Sequence, residues 1–265
     1  MAGFGKLWRR RGALTLPVPP PPRSDIAATM RFRDVEIVVA GGLTEHPGDD
    51  HRIVLHKDLR FLSALVAIFD ELGPTRMIEV GVLQGGSAIF WLERYGLERL
   101  VAIDLTPEIP PLTHYLDRHD LHRRVRTRFG VSQEDRDVVR RAIQEDLAGE
   151  MADAIIDDAS HQLDPTRATV EILLPFLSEG GVYVIEDWAW GHHHRWPREL
   201  WSENPLMSRL VIELSLLCGA GTGVIDRVEI DPNFVVLRRG GTALPADGSF
   251  RLRDYYEPRG LPMVP

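Results

Sequence analysis

Between residues 77 and 187, short apolar runs alternate with amphipathic stretches, and this alternation restricts the fold more than any other feature of the chain. MIEVG (77–81), LVAID (100–104), VRTRFG (125–130), ADAIIDD (152–158) and GVYVIED (181–187) read as five strands. The segments 87–96, 112–121, 135–147 and 166–177 lie between them with helical spacing. A helix within 55–72, stopped by Gly73-Pro74, precedes the first strand. The strands are apolar on both faces, as in a parallel sheet covered by helices on each side. A helix around 205–218 and two β runs, 223–230 and 233–239, turned at Asp231-Pro232, complete the pattern. A doubly wound, Rossmann-like α/β fold with a seven-stranded sheet is expected, its last strand antiparallel. The domain is placed at 53–240, after a Pro-rich arm and extension (1–52) and before a C-terminal tail (241–265).

Composition narrows the function. A net charge of −8 over 265 residues argues against nucleic-acid binding, which needs a basic surface. The single cysteine excludes a disulfide framework or a thiolate-rich metal cluster and fits a reducing compartment. No apolar run approaches the roughly 20 residues of a membrane span. The run GALTL after Arg9, Arg10 and Arg11 is too short for a secretory signal, so a cytoplasmic location is expected. The prolines at 17 and 19–22 favour an extended tether, which together with the apolar 205–218 helix suggests a homo-oligomer.

In a doubly wound sheet, ligands sit beyond the carboxyl ends of the strands. Here those ends carry Glu79 and Gly81, Asp104, Ser132, Asp158, and the pair Glu186-Asp187. Carboxylates gathered at four strand ends repel one another, which a bound cation would offset. The first turn runs Glu79-Val80-Gly81-Val82-Leu83-Gln84-Gly85-Gly86-Ser87, and its glycines would let backbone approach a ligand with no Cβ in the way. Leu83 breaks the G-x-G-x-x-G spacing of dinucleotide sites, and no lysine follows as in a triphosphate loop. Asp104 is positioned to accept hydrogen bonds from a ribose diol.

An acidic residue before Gly81, the glycine turn and Asp104 together resemble the S-adenosylmethionine site of class I methyltransferases. Gly130-Val131-Ser132-Gln133 is similar to the adenine-contacting G-x-S-Q element of catechol-type O-methyltransferases. Asp158-Ala159-Ser160-His161 resembles the D-x-S-H motif of macrocin/mycinamicin-type sugar O-methyltransferases, and Glu186-Asp187 matches the acidic pair of those enzymes. Ala159 replaces the usual glycine, and Glu134 stands where the catechol type has aspartate. The resemblance covers about residues 53–240. It implies S-adenosylmethionine contacts from Glu79, Gly81, Gly85, Ser87, Asp104, Ser132, Gln133 and Asp157. It also implies Mg2+ or Mn2+ on Asp158, Glu186 and Asp187, with His161 and Asp158 as catalytic residues.

The chemistry is coherent with those residue types. A sugar hydroxyl is almost wholly protonated at neutral pH, hard oxygen ligands suit magnesium, and an imidazole titrates close to working pH. Asp157 alternates to the opposite face from Asp158 and reads as a supporting or capping residue. The expected activity is metal-dependent methyl transfer to a hydroxyl of a deoxysugar, nucleotide sugar or glycoside in natural-product biosynthesis. The alternatives are a catechol or phenol acceptor, or an accessory domain that binds the cofactor without turnover. Residues 188–204 hold four tryptophans and His192, His193 and His194, and read as a lid on the acceptor pocket. His51, His56 and Lys57 are placed at the border of that pocket.

Overall fold

A computed structural model describes residues 26–41, 49–193 and 205–259. The chain opens with β1 (Ile26–Phe32), β2 (Val35–Ala40) and β3 (Arg52–Leu55), followed by helix α1 (Leu59–Leu72). Strand and helix then alternate: β4 (Arg76–Val80), α2 (Gly86–Tyr95), β5 (Arg99–Asp104), α3 (Pro110–Arg118), β6 (Val125–Phe129), α4 (Arg136–Leu147), β7 (Ala152–Asp157), α5 (Leu163–Leu173) and β8 (Leu177–Glu186). Helix α6 (Ser208–Gly219) and the pair β9 (Ile225–Ile230) and β10 (Phe234–Arg239) come last.

The large sheet has the order β6-β5-β4-β7-β8-β10-β9. Its first five strands are parallel, and β10 inserts antiparallel between β8 and β9. Strand alternation divides the core in two. Met77, Leu100, Ala154, Ile156, Val182 and Val184 face α1, α2 and α3, where Leu65, Phe69 and Trp91 are buried. Ile78, Val101, Ile155, Tyr183 and Val235 face α4, α5 and α6. Strand order reverses between β4 and β7, the crevice where such sheets bind ligands.

One departure from expectation lies at the N-terminal side. Residues 26–55 hold a three-stranded sheet of their own, β1-β2-β3, with β1 antiparallel and β3 parallel to β2. Ile37, Val39, Ile53 and Leu55 from it join the core on the α1 side. Two hydrophobic runs so short carry little periodicity, and Leu55 had been absorbed into the helix. The helix starts instead at Leu59, because Asp58 caps it, accepting from the Arg60 and Phe61 N–H groups. The tail is also packed, with Phe250 and Leu252 buried against the α4–α6 side. The Pro-rich arm, His194 and residues 195–204 of the expected lid lie outside the described residues. Among the described residues, no helix is long and apolar enough to cross a membrane.

Candidate active site

Sheet register explains why the acidic residues meet. Val80 pairs with Ile103 on one side and Asp157 on the other, and Asp157 pairs with Ile185. The next residue out along each strand is therefore Gly81, Asp104, Asp158 or Glu186, all at one level. His161 follows on the β7–α5 loop, and Asp187 follows β8. Both have a left-handed backbone, with φ of 53° and 56°. Such conformations cost energy in non-glycine residues and cluster at functional sites.

Asp158, His161 and Asp187 each present a ligand atom within 4.8 Å of the others. His161 Nε2 stands 3.7 Å from Asp158 Oδ1 and 3.9 Å from Asp187 Oδ2. Both spacings exceed a hydrogen bond, so the nitrogen faces the two carboxylates without being tied to either. The imidazole packs beside Trp190, ring centroids 4.6 Å apart. Glu186 is drawn elsewhere. Its Oε2 accepts from Lys57 Nζ at 2.5 Å, while the same ammonium donates to Asp158 Oδ2 at 2.7 Å. Glu186 Oε1 is buried with no hydrogen-bond partner.

Burial and charge set the protonation of this cluster. Desolvation would push the Lys57 ammonium down, but Asp158 and Glu186 more than offset it and hold its pKa well above the usual lysine range. Burial raises Asp187 to about 6, with His161 opposing and Asp158 reinforcing. Burial takes Asp157 up to about 8 despite the Tyr183 hydroxyl that donates to it at 3.3 Å. Asp157 sits with Tyr183 on the α4–α6 side, in keeping with support in place of ligation.

The glycine turn packs tightly against the rest of the chain. A Cβ on Gly81 would lie 2.1 Å from the Asp158 carbonyl oxygen, and one on Gly86 would lie 2.3 Å from that of Val54. At Gly85 the neighbour is the Leu112 side chain. The close approach is thus to the protein's own chain, and Gly81 in particular lets the β7 end lie against β4. Asp104 braces the same turn. Its Oδ2 accepts from the Val82 and Leu83 N–H groups at 2.7 and 3.0 Å, and its Oδ1 from Thr106 N–H at 2.7 Å. Leu83, bonded to Asp104, and Leu105, next to it in the chain, are exposed large apolar residues. The sequence marked Leu83 only for breaking the dinucleotide spacing, and Leu105 not at all.

Gln133 also departs from its expected role. Its amide nitrogen donates to Thr169 Oγ1 at 2.8 Å and its oxygen accepts from Ser160 N–H at 2.9 Å. Both ends are engaged inside the fold, so it positions the loop that carries His161. Ser132 stays at the β6–α4 turn, partly buried. Gln133→Leu is expected to cost about 1–3 kcal/mol, since Ser160 N–H loses its acceptor, and urea unfolding measures it. Unchanged stability would remove the bracing role.

Glu79 is fully buried, and desolvation raises its carboxyl to about 7 while Ser87 and Lys57 pull it back. The folded state therefore holds this proton more tightly than the unfolded chain does. Its contribution to stability falls as pH rises from its ordinary value of 4.5 towards 7. Glu79→Gln should gain about 1–3 kcal/mol relative to wild type between about pH 5 and about pH 8 in urea unfolding. A pH-independent difference between the two proteins would contradict this.

Residues 78–188 match the family model described as a methyltransferase domain. Over 121 residues the chain is 32% identical to an 8-demethyl-8-(2-methoxy-alpha-L-rhamnosyl)-tetracenomycin-C 3'-O-methyltransferase of Streptomyces olivaceus, covering 43% of this chain and 28% of that protein. The structure resembles MycE, a methyltransferase from mycinamycin biosynthesis solved with Mg, SAH and mycinamycin VI, at a TM-score of 0.53 and 21% identity, covering 79% of this chain and 53% of MycE. It also resembles the SAH-bound Podospora anserina methyltransferase PaMTH1, at 0.52 and 17%, covering 70% and 80%. The chain thus spans about half the length of MycE and less of the tetracenomycin enzyme. The fold is that of class I methyltransferases.

Of the residues singled out from the sequence, the structure brings Asp158, His161 and Asp187 together, while Glu186 stands beside them on Lys57. Lys57 joins them from the β3–α1 link, and its placement against Asp158 and Glu186 was not anticipated. A signal was available: it is one of two lysines among 31 basic residues, set between a buried strand and a helix cap. The arginine run at 123–128 is structural, with Arg128 clamped on Asp146 and Glu145 and Arg124 on the Leu97 carbonyl.

Proposed function

We propose that the protein is an O-methyltransferase that moves a methyl group from S-adenosylmethionine to a hydroxyl of a sugar or glycoside, assisted by a divalent cation. The observation that carries this reading is the Asp158, His161 and Asp187 cluster, set one strand away from the glycine turn. The donor set fits a hard divalent ion such as Mg2+ or Mn2+, and the orphaned Glu186 Oε1 is a further oxygen of the right kind. Asp158, Asp187 and Glu186 would hold it. When bound, such an ion supplies positive charge that favours loss of the acceptor hydroxyl's proton.

The protein's own groups do the rest. His161 Nε2 takes the proton from the acceptor hydroxyl, and the flanking carboxylates stabilise the imidazolium that results. Trp190 keeps the imidazole in place and offers an aromatic wall of the kind that stacks on sugar rings. On the cofactor side Asp104 fixes the glycine turn, and Leu83 and Leu105 provide an apolar surface for a purine. The sugar acceptor is supported by the D-x-S-H motif and by the tetracenomycin relative, a 3'-O-methyltransferase of a rhamnosyl tetracenomycin.

Purified protein incubated with methyl-labelled S-adenosylmethionine and a panel of nucleotide deoxysugars, glycosides and catechols tests this. Label is expected in a sugar hydroxyl and is suppressed by chelator. Label in catechol alone would transfer the reading to phenols, and cofactor binding without label in any acceptor would favour an accessory role.

A further inference from the structure

We infer that Lys57 is a tethered counter-cation of the carboxylate cluster, which shares Asp158 and engages Glu186, so that the divalent ion is bound weakly and exchanges freely. The inference rests on the proposed reaction only for the presence of that ion.

Three observations converge on it. Lys57 Nζ bonds both carboxylates, and its side chain is 2% exposed against 1% for Glu186. This is a built contact and not a surface pairing. Its path is set by the fold: the residue lies between β3 and the capped start of α1, its ammonium 5.3 Å from the centre of the Phe61 ring. Phe61 in turn stacks on Phe234 of β10 at 5.2 Å. Finally, the atoms close enough to share one ion belong to Asp158, His161 and Asp187, without Glu186.

A compact ammonium serves this place better than a guanidinium, because it approaches two carboxylates at once as a point charge. With Lys57 present, the buried acids are partly neutralised before any ion arrives. An incoming divalent ion gains less from them and meets a fixed positive charge a few ångströms away. The cluster is then stable when empty, and the ion is free to come and go with the acceptor.

Titration of the metal-free protein with Mn2+, followed by the EPR signal of the free ion, tests this without any acceptor. Lys57→Met is expected to bind Mn2+ at least tenfold more tightly than wild type. In EDTA its melting temperature should fall below that of wild type, and Mn2+ should restore it. Asp187→Asn added to Lys57→Met should abolish the tight binding. If Lys57→Met does not fold in EDTA, Lys57→Gln, which keeps an N–H donor, takes its place in the same titration. Equal or weaker binding by the variant, no Mn2+ binding by either protein, or tight binding that survives Asp187→Asn would overturn the proposal. Failure of the methyl-transfer reading would show separately, as absence of labelled product with this titration unchanged.

Discussion

His161→Ala is expected to lower methyl transfer by about 10²–10⁴-fold, the usual contribution of a positioned acid–base group. Binding of S-adenosylmethionine should be nearly unchanged, because the imidazole faces Asp158 and Asp187 and not the glycine turn. The loss should appear in kcat at saturating cofactor, with single-turnover label incorporation as the readout. Fold stability is a necessary control, since His161 is buried and in a left-handed conformation. His161→Asn accepts that backbone more readily than alanine does, and separates lost base from lost loop geometry. A correctly folded variant that turns over at more than a tenth of the wild-type rate would remove His161 from the chemistry.

Gly81→Ala should have the largest effect on stability. The added methyl carbon would meet the Asp158 carbonyl oxygen at 2.1 Å, and backbone cannot step aside as a flexible side chain does. The glycine also sits at φ of 87°, where an L-residue is strained. Overpacking and strain together suggest a cost of about 3–5 kcal/mol. At about 2–4 °C per kcal/mol for a chain of this size, the melting temperature should drop by about 6–20 °C. The variant should also lose divalent-ion affinity, because the displaced atoms belong to Asp158. A methyl group accommodated within about 1 kcal/mol would mean that β7 can shift away from β4 at little cost.

The strands β4, β5, β7 and β8 inside the large sheet were legible because each is an apolar run, buried on two sides, that ends abruptly on an acid, a glycine or both. Two-sided burial leaves no room for polar alternation, and the acids mark where the chain leaves the core. The same logic located Asp158, Glu186 and Asp187 together. It failed for β2 and β3, whose runs EIVVA and RIVL are short, and whose pairing is parallel and thus without a hairpin signal. It failed also for function within the turns. Whether a glycine makes space for a ligand or for a neighbouring carbonyl depends on what crosses in front of it, and Asp158 lies 77 residues beyond Gly81. Gln133 looked like a ligand contact because its motif does, yet Thr169 and Ser160 use both ends of its amide. Lys57 lies 101 and 129 residues from its two partners, beyond any local pattern.

The large sheet supplies every negative group of the cluster, whereas the positive one arrives from the link after β3. Assembly of the two parts is therefore coupled through charge. Until β3 has paired with β2 and brought Lys57 inward, the acids at the tips of β7 and β8 repel one another with nothing in the polypeptide to quiet them. Transient fraying of the N-terminal strands exposes that repulsion again. Because Lys57 and the ion compete for the same acids, each loosens the other, and proton exchange at β3 should quicken when Mn2+ is added, even though none of its residues would hold the ion.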